Sequence, residues 1–90
     1  ESSFNKVSID LSMEVVFDAQ KLTVFLENIT VERIKGLVRT NNGFVVINYS
    51  EGVFKLQPAD TQSINRIEII STKSLNQKNL ESELYRCLAT

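Results

Sequence analysis

Apolar residues change period along this chain, and each change marks an element. In FNKVSIDLSM, residues 4–13, Val7, Ile9, Leu11 and Met13 occupy alternate positions, the period of a strand with one buried face. In AQKLTVFLENI the spacing becomes helical, with Leu22, Phe25, Leu26 and Ile29 at i, i+3, i+4 and i+7. Asp18 is the predicted N-cap of that helix, because its carboxylate can accept a bond from a free first-turn N–H. Phe17 and Leu22, at N′ and N4, are spaced for a hydrophobic staple. The same grammar returns near the C-terminus. Leu75, Asn76 and Leu80 take the N′, N-cap and N4 places ahead of Leu84, Cys87 and Leu88 on one face, predicting a second helix.

Between the helices lie three β-rich runs, Arg33 to Thr40, Phe44 to Asn48 and Val53 to Gln57, joined at Asn42-Gly43 and Glu51-Gly52 into a meander. Asn42-Gly43 is predicted to form a type I′ turn, since both residues tolerate positive φ. After Pro58 the stretch ADTQSIN is polar and turn-like, and RIEIIS alternates again with Ile67 and Ile69 on one side, a fifth strand. The order is βαββββα. Two helices with one apolar stripe each most economically cover one side of a sheet, so the predicted fold is an α+β two-layer sandwich. It has a mostly antiparallel sheet of four to five strands with two helices on one face. No linker, repeat or low-complexity tract divides residues 1–90, which read as one domain.

Composition narrows the function classes. Ninety residues support a single core that buries about 60 to 65% of the surface of the unfolded chain. Ten Lys and Arg against eleven Asp and Glu leave a net charge of −1, so no global field draws the chain to nucleic acid or acidic lipid. No apolar run approaches the roughly 18 to 20 residues of a membrane span, and ESSFNKVSID lacks the basic and apolar regions of a secretory signal. The expectation is a cytoplasmic protein with neither a nucleic-acid nor a membrane partner. The chain begins at Glu1 and its only methionine is Met13, so it reads as a piece of a longer reading frame.

Candidate chemistry is sparse. Cys87 is the one cysteine and there is no histidine, which excludes an internal disulfide and a site built from Cys and His ligands. Lys35-Gly36 reverses the Gly-Lys order of a phosphate-binding loop and lies inside a strand pattern without neighbouring glycines. As a strand, Arg33, Lys35 and Arg39 project to one side with Leu37, and Ile34, Gly36 and Val38 to the other. Two readings stay open for the cations: a solvated face that discourages edge-to-edge association, or a docking surface for an acidic partner. Gly36 marks a bulge or a close approach, expected from a packed helix. Cys87 has no base to activate it and reads as core. The pairs Glu14 with Asp18 and Glu81 with Glu83 lack an orienting group and read as solvated surface. The sequons at Asn28 and Asn48 have no secretory context. Phe44, Tyr49 and Phe54 lie near Arg39 and Lys55, as a nucleic-acid platform would require, but Phe44 and Phe54 have apolar neighbours and are expected to serve the core.

RIKGLVRTNNGFVVIN, the later NRIEII run and the closing LNQKNLESELYRCL together resemble the C-terminal domain of the CobW-like family, metal-associated GTPases related to cobalamin-synthesis proteins. That domain opens with a short Ser-Phe strand, here Ser3-Phe4, and continues through a capped helix, here from Asp18. It reaches an Arg-x-Lys-Gly segment at Arg33 to Gly36, an Arg-led strand at Arg66-Ile67-Glu68, and a helix ending near Cys87-Leu88. The resemblance implies a domain that follows a P-loop GTPase, in proteins regarded as chaperones delivering zinc, cobalt or related metals to target enzymes. The family's nucleotide-binding glycines and Cys-rich metal motif belong to that other part. GTP, Mg and zinc or cobalt are therefore implied for the parent protein only, with no cofactor on this chain. The expectation is a non-catalytic accessory domain whose partners are its own N-terminal GTPase domain and a metalloenzyme client. Arg33, Lys35, Gly36, Arg39 and Arg66 are its candidate interface. The alternative is a free-standing regulatory domain that binds a small ligand or peptide on the uncovered sheet face.

Overall fold

The computed structural model describes residues 4–61 and 63–89. Ser3, placed in the opening strand by the resemblance, lies outside them, as does Gln62 of the turn-like stretch. The elements follow the predicted order: β1 (Asn5–Asp10), α1 (Ala19–Asn28), β2 (Arg33–Thr40), β3 (Gly43–Ser50), β4 (Val53–Pro58), β5 (Arg66–Ser71) and α2 (Gln77–Tyr85). All five strands enter one antiparallel sheet in the order β1-β5-β2-β3-β4, so the last strand inserts beside β2 and the first pairs outside it. This is the expected α+β architecture.

Alternation decides which sheet face is covered. Val7, Ile9, Ile34, Val38, Val45, Ile47, Ile67 and Ile69 share one face, and Leu22 and Leu26 of α1 and Leu84 of α2 join them in a single buried cluster. Both helices therefore cover the same side. Their starts are set as the caps predict: Lys21 N–H donates to Asp18 Oδ1 at 2.9 Å, and Asn79 N–H to Asn76 Oδ1 at 3.0 Å. The start of β2 is tied to the end of β5 by Glu32, which accepts from Thr72 N–H at 2.8 Å and the Thr72 hydroxyl at 3.0 Å. Those bonds, the backbone one first, hold its carboxyl below the ordinary range.

Four local expectations need correction. The first strand ends at Asp10, because Leu11 turns inward and gives its N–H to the Asn65 carbonyl at 2.7 Å, outside any ladder. The last helix stops at Tyr85, so Cys87 and Leu88 do not extend its face. There Arg86 and Cys87 N–H bond the Glu83 and Leu84 carbonyls at 3.2 and 2.8 Å, the tightened last turn of a helix end. The chain beyond is drawn into β-like pairing with residues 16–18. Asp18 N–H donates to the Cys87 carbonyl at 2.7 Å and Ala89 N–H to that of Val16 at 2.9 Å, with Phe17 bridged to both Leu88 and Thr40.

The type I′ turn is at the other hairpin. Glu51 and Gly52 both have positive φ, 54° and 81°, whereas Asn42 does not and Gly43 alone does, at 98°. The first hairpin is displaced because Asn41 is engaged elsewhere. Its N–H donates to the Phe17 carbonyl at 2.9 Å and its Oδ1 accepts from Ala19 N–H at 3.0 Å. Thr40 Oγ1 takes the Asn42 N–H at 3.0 Å.

Gly36 marks neither a bulge nor a helix contact. The β2 register runs unbroken against β3 and β5, and a Cβ there would stand 3.1 Å from the Arg66 carbonyl oxygen, 3.3 Å from Ile47 Cδ1 and 3.4 Å from Ile67 Cγ1. The flanking strands make the close approach.

Candidate interaction face

With both helices on one side, the other face of the sheet is left open, and the register gives its side chains in rows. Arg33 stands between Ile70 and Ser50, Lys35 between Glu68 and Asn48, and Leu37 between Arg66 and Val46, with Arg39 opposite Phe44. β1 extends these rows with Lys6, Ser8 and Asp10, and β4 with Val53, Lys55 and Gln57. Arg33, Lys35 and Arg39 thus share one face, as their alternation predicts, and the strand order adds Arg66 to it. Gly36 is on the same strand, but its missing side chain points toward the core. Sequence reasoning missed Lys6, and it weighed Lys55 for a nucleic-acid platform only, not for this interface. Their alternate positions in β1 and β4 carried the signal, but only the strand order places them beside the others.

The charges on this face are partly paired. Glu68 lies 3.8 Å from Lys6 Nζ, and Arg66 Nε donates to Asp10 Oδ1. That hydrogen bond, with the Asp10 charge behind it, raises the Arg66 pKa above its ordinary value. Both anions are therefore engaged at the β1–β5 side. Arg39 Nη1 donates to the Met13 carbonyl at 2.8 Å, and among the described residues no ion pair reaches Arg33, Lys35, Arg39 or Lys55. The Arg39 end is fixed from below by Asn65, whose Oδ1 accepts the Arg39 N–H at 3.2 Å.

The remaining reactive groups have structural employment. Cys87 is buried, with its thiol 3.4 Å from the Glu83 carbonyl and 3.7 Å from that of Lys21. Burial first, and then the Glu83 charge, push its pKa up, away from thiolate chemistry. Asp18 caps α1, Glu81 accepts from Gln77 Nε2 at 2.9 Å and Glu83 lies 4.0 Å from Arg86. Tyr49 and Phe54 pack against the core cluster, while Phe44 is half-buried on the open face, not in the core as expected from its neighbours. The aromatics are split between faces and make no stacking platform. Among the described residues no three His, Cys, Asp or Glu side chains converge, and no helix is long and apolar enough to cross a membrane.

The family described as cobalamin synthesis protein cobW C-terminal domain matches residues 7–88, from the first inward valine of β1 to the Leu88 bridge. Comparison with curated proteins and with solved structures returns no match. The matched span takes in both helices, four whole strands and β1 from Val7 onward, and the chain belongs to the cobW C-terminal domain family.

Proposed function

We propose that this domain is a non-catalytic contact module of a longer, cytoplasmic CobW-like protein. It packs on the GTPase domain that precedes it and helps couple that domain to recognition of a metalloenzyme client. The observation that carries the reading is the uncovered sheet face, where among the described residues Arg33, Lys35 and Arg39 form no ion pair and Glu68, which faces Lys35 across the strands, is paired with Lys6. The family match supplies the context. In this reading GTP, Mg and the zinc or cobalt cargo are held by other parts of the parent. The contribution of this domain is register and association rate, the terms that complementary charge controls best. The test is the triple variant Arg33→Glu, Lys35→Glu, Arg39→Glu in the parent protein. It is expected to loosen interdomain contact, read by limited proteolysis and cross-linking, and to change GTP turnover by about fivefold, an ordinary coupling magnitude. Unchanged contact and turnover overturn the reading.

A further inference from the structure

The net charge of −1 conceals a strong segregation. Six of the ten cations, Lys6, Arg33, Lys35, Arg39, Lys55 and Arg66, stand on the open face against two of the eleven anions, Asp10 and Glu68. The rest of the chain carries the other four cations and nine anions. Because the two anions of the face are paired at the β1–β5 side, the positive excess lies over β2, β3 and β4. Inside that excess is an aliphatic strip. Leu37 and Val46 are cross-strand partners, Val46 is 39% exposed and Ile64 45% exposed. A shallow depression of about 250 Å³, lined by Lys35, Gly36, Leu37, Ile64, Arg66 and Glu68, opens beside them.

We propose that this part of the face docks an acidic protein segment that seats an aliphatic side chain against Leu37, Val46 and Ile64 and sets carboxylates over Arg33, Lys35 and Lys55. The proposal rests on the contact-module reading and specifies its chemistry. Extended polyanions fit poorly. Five strands span only about 20 Å, and a duplex or a bilayer reaching past that width meets the acidic remainder of the domain within a Debye length of about 8 Å. Single-stranded nucleic acid wants an aromatic platform, and among the described residues Phe44 beside Arg39 and Phe4 near Arg33 stand at opposite ends of this face, too far apart to make one. A face about 20 by 25 Å offers some 500 Å², below the roughly 800 Å² per partner of a standard stable interface, so the contact is transient and micromolar.

The test is an NMR titration of the chain with a helical peptide of about fourteen residues, bearing leucines at i and i+4 flanked by glutamates. Comparison peptides replace the leucines with serine or the glutamates with lysine. Phosphatidylserine vesicles and oligothymidylate are the other arms. Expected are shifts confined to the β2–β4 amides and those from Ile64 to Glu68, and a dissociation constant of about 10 to 100 μM. Binding should weaken about tenfold for Lys35→Glu/Lys55→Glu and for Val46→Asp, all exposed positions, and at least severalfold between about 50 and 300 mM salt. The serine and lysine peptides should both bind at least tenfold more weakly than the acidic leucine peptide.

No binding of the acidic leucine peptide at about millimolar concentration overturns the proposal. So does equal binding of the serine peptide, which reduces the face to charge alone, or tighter binding to vesicles or oligonucleotide. The two readings fail separately. If the peptide does not bind while the triple reversal still alters GTP turnover in the parent, the contact module stands and this partner chemistry falls. If the peptide binds while interdomain contact and turnover are both unmoved, the reverse holds.

Discussion

At the scale of single residues the decisive side chain is one that no periodicity announces. Asn65 is 3% exposed and makes four hydrogen bonds. Its Oδ1 takes the Arg39 N–H, its Nδ2 donates to the Ser12 and Val15 carbonyls at 2.9 Å each, and its own carbonyl takes the Leu11 N–H. It therefore holds the irregular 11–15 segment against β2 and β5 at the Arg39 end of the open face. Replacing it with alanine strands the Arg39 N–H and the Val15 carbonyl, at about 1 kcal/mol or more each, while the Ser12 carbonyl keeps its bond from the Val15 N–H at 3.0 Å. Asn65→Ala should lower unfolding free energy by about 2 kcal/mol in urea denaturation, and Asn65→Asp by at least as much, since it loses both donors and adds a charge. A loss under about 1 kcal/mol would mean that water replaces the amide. Asn65 was illegible beforehand because it lies in a polar, turn-like stretch where another polar residue changes no pattern. Asp18 and Asn76, equally polar, were legible because each stands immediately before an apolar helical repeat.

At the scale of elements, what could be read was local alternation, and what could not was competition for backbone groups. β2 and β5 begin and end where the sequence places them, since every second residue is driven inward. The second helix and the first hairpin depart from expectation for a shared reason. The crosspiece at residues 16–18 claims the Cys87 carbonyl, the Ala89 N–H and the Asn41 N–H, and these partners are remote in sequence. Leu84 and Cys87 still point into the core, so their spacing imitated a longer helix. Gly36 shows the same dependence on neighbours. Its backbone is not in the positive-φ region that favours glycine, so its role is space between β3 and β5. Valine there would gain up to about 1 kcal/mol of strand preference over glycine. It must also force branched carbons toward a backbone carbonyl 3.1 Å from its Cβ, an overpacking cost of about 1 to 3 kcal/mol. The second effect should win, with Gly36→Val losing about 1 to 2 kcal/mol in chemical denaturation at unchanged circular dichroism. A gain in stability would show that the flanking strands yield.

At the scale of the whole molecule, a near-neutral chain has folded into a cationic sheet face and an acidic remainder, and neither composition nor any single strand discloses it. The candidate site was legible for Arg33, Lys35 and Arg39, which share a strand, and Arg66 entered through family resemblance. Lys6 and Lys55 needed the strand order, a product of long-range pairing. Such a face is expected to cost the isolated domain something. Lys35 and Lys55 flank Asn48 in one row, two strand spacings or about 10 Å apart. At that distance two like charges repel by about 0.4 kcal/mol in water, an effect that salt removes as the Debye length shrinks below the separation. Neutralising both cations should therefore separate stability from recognition. Lys35→Gln/Lys55→Gln is expected to stay within about 0.5 kcal/mol of the parent chain at low ionic strength, because the repulsion it removes is offset by the lost attraction of Lys35 to its cross-strand neighbour Glu68, with any difference gone by about 0.5 M salt. The same variant should bind the acidic leucine peptide several times more weakly at every salt concentration where binding is measurable. If instead stability and binding fall together, the two lysines serve the fold, and the excess charge of the face is not kept for a partner.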